Sequence, residues 1–235
     1  MMYIRKAAER GQVDLGWLQS QHSFSFGHYY DERFMGHGPL RVINQDVVQP
    51  AGGFSEHGHA NMEIISYVLN GELAHKDSEG NESVIRPGDV QKMTAGTGIR
   101  HSEFNHSKQN TVQFLQIWVV PNKMNVAPGY VQKHFSALLT PAQAPTLIFS
   151  EQGEGESLPV YQDVNVLAGQ LADDTTWDYA NQAGRIGWLQ VVSGSATVNG
   201  ETVSAGDGVA FGAGEAAQVA SSKDLHILYF DMPAK

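Results

Sequence analysis

The chain has 235 residues, 41% hydrophobic and 17% charged, which is enough apolar residue to bury a sizeable core and excludes a disordered chain. The 15 Lys and Arg stand against 25 Asp and Glu, a formal charge of −10, and so argue against the cationic face that a nucleic-acid backbone requires. There is no cysteine, so disulfides, thiolate metal sites and a cysteine nucleophile are excluded, and any metal must be held by imidazole and carboxylate.

The opening MMYIRKAAERGQVDLGW is charged and lacks the apolar run of a secretory signal. No window approaches 18 apolar residues, so no membrane span is expected, and the cytoplasm is the expected compartment. Residues 1–9 and 130–139 read as short helices, the second stopping before Thr140-Pro141. Strand-like runs follow at 42–43, 63–69, 111–120, 159–167, 187–192 and 225–230, rich in β-branched, aromatic and aliphatic residues. Asn70-Gly71, Pro87-Gly88-Asp89, Ser193-Gly194, Asn199-Gly200 and Ala205-Gly206-Asp207 punctuate them. Short strands separated by glycine turns predict an all-β protein of sandwiches or barrels.

An internal repeat divides the chain. YVLNGELAHKDSEGNESVIRPGDVQKMTAGTG (67–98) and QVVSGSATVNGETVSAGDGVAFGAGEA (190–216) share the order strand, Gly turn, strand, turn, Gly-Asp, strand, Gly loop. Gly71 corresponds to Gly194, and Gly88-Asp89 to Gly206-Asp207. The Pro- and Gly-bearing segment 120–155 reads as the connection between copies. This predicts two β-domains, a metal-binding one over 1–130 and a degenerate one over 131–235.

His57-Gly58-His59 follows the Ala51-Gly52-Gly53 turn, and His101-Ser102-Glu103 follows Gly96-Thr97-Gly98. Residues i and i+2 of a strand share a face, so each triplet can aim two ligands into one interior. Three imidazoles and a carboxylate suit one divalent transition metal: Fe, Mn, Ni, Co, Cu or Zn. In an octahedral shell they leave two positions open, whereas four tetrahedral ligands on zinc would close the site. His22, His28, His37, His75, His106, His134 and His226 lack such a partner and read as ordinary polar or core histidines.

The spacing His57-x-His59-x3-Glu63, then Gly88-Asp89 and His101-x3-Asn105, resembles the two-part cupin signature. Met35-Gly36, Gly38-Pro39-Leu40-Arg41-Val42-Ile43-Asn44, HGHANMEIISYVLNG (57–71) and PGDVQKMTAGTGIRHSE (87–103) resemble the pirin family more closely. The likeness is close over residues 20–120 and extends beyond them only in strand and turn order. It implies a bicupin of two jelly-roll barrels, with the metal held in the first by His57, His59, His101 and Glu103. Gly58 stands where many relatives carry Pro. The general cupin pattern offers Glu63 instead of Glu103, and Glu63 shares strand parity with His57 and His59; the pirin pattern favours Glu103. Aligning Gly194 on Gly71 sets Ala180, Gln182 and Ile186 opposite His57, His59 and Glu63, so the second barrel carries no site.

The resemblance also implies quercetin 2,3-dioxygenase chemistry: a flavonol and O2 give a depside and carbon monoxide, with Glu103 as the base for the 3-hydroxyl. Phe24, Phe26, Tyr29, Tyr30, Phe34 and Met35 form either an aromatic mouth or packing between domains. Asn44, Asn105 and Gln116 are candidates for orienting ligands. Two other classes remain: a redox-sensing regulatory protein with a protein partner, as some pirins are, and another cupin enzyme such as a sugar isomerase. Arg41, Lys92 and Arg100 are the nearby basic residues for a carbohydrate. No nucleic acid or membrane partner is expected.

Overall fold

The computed structural model describes residues 2–234. Its strands are β1 (Tyr3–Arg5), β2 (Gly11–Asp14), β3 (Leu18–His22), β4 (Leu40–Val48), β5 (Gly53–His59), β6 (Glu63–Asn70), β7 (Leu73–Asp77), β8 (Glu82–Ile85), β9 (Asp89–Thr94) and β10 (Ile99–Asn105). They continue as β11 (Val112–Val119), β12 (Gly129–His134), β13 (Thr146–Ser150), β14 (Leu158–Pro159), β15 (Asn165–Gln170), β16 (Thr176–Ala180), β17 (Arg185–Val198), β18 (Glu201–Ser204), β19 (Gly208–Phe211) and β20 (Ala216–Pro233). The all-β expectation holds. No helix among the described residues is long and apolar enough to cross a membrane.

One compact unit comprises residues 11–36 and 40–134. Its two sheets run β5-β10-β7-β8 and β12-β9-β6-β11-β4-β3-β2, every pairing antiparallel. The strands bury alternate residues, as β3 does with Leu18, Ser20 and His22 and β10 with Ile99, His101, Glu103 and Asn105. Along β6 the inward series is Ile64, Ser66, Val68, and along β11 it is Phe114, Gln116, Trp118. One apolar layer is built of Leu18, Val48, Val68, Leu73, Ile85, Val112 and Phe114. Another is built of Ile64, Met93, Ala95 and Ile99. Between them runs a polar belt that includes Ser66, His75, His101, Glu103 and Gln116. The apolar layers carry the hydrophobic stabilisation, so the belt can serve chemistry.

The second unit comprises the segment ending at Arg10, residues 37–39, and the chain from Phe135 onward. Its sheet runs β1-β19-β17-β20-β15-β13-β14, with β16 on β20 and β18 on β17. Its interior is apolar: Trp177, Leu189, Val191, Phe211, Ala217, Val219, Ile227 and Tyr229 belong to one buried cluster, against which Tyr179 packs.

The repeat is visible in atomic detail. Gly88 and Gly206 have φ of +89° and +88°. In each turn the following aspartate caps a backbone N–H, Arg86 N donating to Asp89 Oδ2 at 3.0 Å and Ser204 N to Asp207 Oδ2 at 3.1 Å. Gly71 and Gly194 share the left-handed conformation, at +81° and +75°.

Four sequence expectations change. The division at 130/131 assigns everything before it to the first barrel, but Tyr3–Arg5 pairs with β19 and goes with the second unit. The two expected helices are strands followed by single 3-10 turns, at Ala7–Glu9 and Ser136–Leu139. Aromatic and β-branched Tyr130 and Val131 pair along β9 instead of coiling. The segment 120–155 contains β12 and β13, and the run 159–167 breaks where Gln162 N bonds to Val160 O and Val164 N to Gln162 O.

Candidate metal centre

His57 and His59 lie on β5, His101 and Glu103 on β10. The antiparallel register sets His101 directly opposite His57, and a bulge between His101 and Glu103 shifts Glu103 opposite Phe54. The three imidazoles converge: His101 Nε2 is 3.1 Å from His59 Nε2 and 3.1 Å from His57 Nε2. His57 Nδ1 donates to the Ser55 carbonyl at 2.8 Å, so its Nε2 presents a lone pair to the cluster.

Glu103 is 2% exposed. Its Oε1 accepts from Ser66 Oγ at 2.7 Å and its Oε2 from Gln116 Nε2 at 2.6 Å. Glu103, Gln116 and the three histidines border a cavity of about 50 Å³ lined also by Phe26, Asn44, Asp46, Phe54, Ile64 and Trp118. Trp118 stands edge-on to His59 at 4.9 Å and to Phe26 at 5.3 Å between ring centres.

Burial, then the neighbouring imidazoles, lower the pKa of His59 to about 4 and of His101 to about 3. Both rings are therefore neutral at neutral pH, the state a metal ligand needs. Asp46, hydrogen-bonded by the Ser20 hydroxyl, behaves oppositely: burial raises its pKa to about 7, and the Glu103 charge adds to the rise.

A cation fits this donor set. Three ring nitrogens face one point, and the lone pair of His57 Nε2 is directed there. Two nitrogens about 2.1 Å from one ion stand about 3.0 Å apart in adjacent octahedral positions and about 3.4 Å apart in tetrahedral ones. The 3.1 Å spacings are compatible with nitrogens sharing one ion. Among the described residues, the clusters of three or more candidate metal donors are His57/His59/His101 and His75/His101/Glu103, both in the first unit.

Glu63 is elsewhere. It is buried and paired with Lys92 Nζ at 2.7 Å and Thr94 Oγ1 at 3.1 Å, while Ile64 takes the inward position. The parity argument fails because Asn61, at φ +51°, interrupts the strand between β5 and β6. Asn44 and Gln116 line the cavity. Asn105 instead ties a loop, donating to the carbonyls of Val48, Gln49 and Asn110. Of the aromatic group, Phe26 lines the cavity, Phe24 is buried, and Tyr30 and Met35 are exposed. Sequence reasoning misses Asp46, Phe54, Ile64, Trp118 and His75. Alternation along β4 (Asn44, Asp46), β7 (His75, Asp77) and β11 (Gln116, Trp118) is the signal that could find most of them.

Two β-barrels in one chain, one with a His-rich polar belt and one with an apolar interior, define a bicupin. The pirin profile matches residues 3–119, and that of the quercetinase C-terminal cupin domain matches residues 147–232. A quercetin 2,3-dioxygenase of Escherichia coli K12 is 42% identical over 233 residues, covering 99% of each chain. A pirin-like protein of Caulobacter vibrioides is 39% identical over 208 residues, 88% of this chain and 89% of that one. The bacterial pirin YhhW of Escherichia coli, solved in complex with nickel(II), superposes with a TM-score of 0.95 at 41% identity, covering 100% of both chains. The chain belongs to the pirin family.

Proposed function

We propose that this protein is a metal-dependent dioxygenase that opens a flavonol such as quercetin with O2, its ion held by His57, His59, His101 and Glu103. The observation that carries the reading is the convergence of three imidazoles beside a buried carboxylate in one small cavity. The nickel complex of YhhW and the name of the Escherichia coli dioxygenase support it. A divalent transition metal bound there supplies Lewis-acid activation of a hydroxyl oxygen.

The chain's own residues supply the rest. Glu103 accepts the proton of the 3-hydroxyl, and Ser66 and Gln116 hold the carboxylate in position for it. Asp46, with its pKa near 7, adds little second negative charge beside Glu103 below that pH. A cavity of about 50 Å³ is far below the roughly 300 Å³ of an ordinary ligand pocket. The flavonol therefore enters edge-first with its oxygen-bearing side, its ring flanked by Phe26, Phe54 and Trp118.

The test is aerobic turnover of quercetin with carbon monoxide detection. Glu103→Gln keeps the size and loses the base, so kcat is expected to fall by about 10²–10⁴-fold with metal content little changed. Wild-type protein loaded with metal that releases no carbon monoxide overturns the proposal.

A further inference from the structure

His75 lies in the same polar belt and has no part in the reading above. It is 1% exposed and sits opposite Glu103 in the register of β7 with β10, while Asp77 sits opposite His101. His75 Nε2 is 3.1 Å from Asp77 Oδ2. Asp77 Oδ1 accepts the backbone N–H groups of Glu79 and Asn81, each at 3.0 Å. The carboxylate acts as an acceptor throughout, so Nε2 of His75 is the donor toward it, and in that tautomer Nδ1 carries a bare lone pair.

That Nδ1 is buried and has no hydrogen-bond partner, and neither has Nδ1 of His101. The two rings are 5.4 Å apart between centres. One donor atom each from His75, His101 and Glu103 fall within 4.8 Å of one another. An imidazole that gives its Nε2 lone pair to an ion keeps its proton on Nδ1. The ligand His101 thus brings a buried donor to the belt in which the neighbouring His75 ring carries a buried acceptor. No direct bond joins these two atoms, and two hydrogen bonds of about 2.8 Å meeting at one water span about 4.6 Å.

The geometry points to an Asp77–His75 relay that fixes the tautomer and orientation of His101 through one buried water. The water accepts from His101 Nδ1–H and donates to His75 Nδ1 and to Glu103, so each participating group is satisfied. His75 is a positioning residue here: it reaches the ion only through His101. The inference rests on His101 being a metal ligand.

The test uses the full chain with zinc(II) as a diamagnetic probe. Long-range proton–nitrogen correlation on protein with 15N-labelled histidine is expected to place the His75 proton on Nε2, with a slowly exchanging proton on His101 Nδ1. His75→Phe keeps the bulk and removes the acceptor; the zinc Kd is expected to rise about 10–100-fold and the His101 proton to exchange rapidly. His75→Asn, whose Oδ1 sits near the old Nδ1 position, is expected to recover most of the affinity. A His75 proton on Nδ1 overturns the relay, and this is read on wild type whether or not the variants fold. An unchanged Kd in folded His75→Phe also overturns it. Two zinc ions per wild-type chain, falling to one in His75→Phe, would make the cluster a ligand set instead. Full zinc affinity in His101→Ala fails the underlying reading, as does wild type that binds none; both outcomes are distinct from failure of the relay alone.

Discussion

Asp46 and the two shifted histidines respond to pH in opposite directions. Folded Asp46 has a pKa of about 7, above the roughly 3.9 of an unfolded chain. Between these values the folded state holds the extra proton, so this group's contribution to stability declines as pH rises through that window. Asp46→Asn retains the acceptor for Ser20 and cannot ionise. The melting temperature of the variant relative to wild type should therefore rise from pH 5 to pH 8, and an identical difference at both pH values refutes the assignment. His59 and His101 have folded values of about 4 and 3, below the unfolded value near 6.5. Their contribution is present above about pH 6.5 and is lost as pH falls toward 4. Bound metal should likewise survive well below the pKa of free imidazole, and metal content measured across a pH series should fall only as pH drops through about 4. Retention of full occupancy at pH 3 would mean that these rings are not ligands. At this scale the sequence was readable where two polar residues sit at i and i+2 after a glycine turn, as His57/His59 and His101/Glu103 do. His75 and Asp46 have the same alternation on their strands. What brings them to the cavity is pairing with residues far along the chain, which local spacing does not carry.

Turn glycines mark the elements better than propensity does. Gly194 interrupts β17 with φ +75°, and a Cβ there would lie 2.3 Å from the carbonyl oxygens of Asp224 and Lys223. At Gly184, with φ +80°, an added Cβ would meet nothing within 4 Å. Gly184→Ala should cost about 1–2 kcal/mol for the left-handed conformation alone. Gly194→Ala should cost more, since backbone must move as well. Denaturant unfolding of both variants checks this, and equal losses would show that the bend at Gly194 relaxes freely. The repeat was legible because its glycines and Gly-Asp turns are fixed by backbone geometry at each site. The expected helices were not, because 1–9 and 130–139 are too short for periodicity to separate a coil from an edge strand.

Across the chain, two barrels share a plan and differ in their interiors. Where the first carries imidazoles and carboxylates, the second packs Trp177, Phe211 and Tyr229 with aliphatic residues. Elemental analysis of the full chain should find one ion, and chelation should leave the β-sheet circular dichroism largely intact, since the apolar layers do not depend on metal. Two ions per chain, or collapse of the sheet signal on chelation, contradicts this. The sequence located both barrels but did not assign Tyr3–Arg5 to the second. Pairing of Tyr3 with Ala210 means that one strand of the second barrel is synthesised some 200 residues ahead of its neighbour. At roughly 5–20 residues per second, Tyr3–Arg5 waits on the order of 10–40 s on the ribosome with its backbone groups unmatched. Translation speed and chaperone occupancy thus become part of how this molecule reaches its native state.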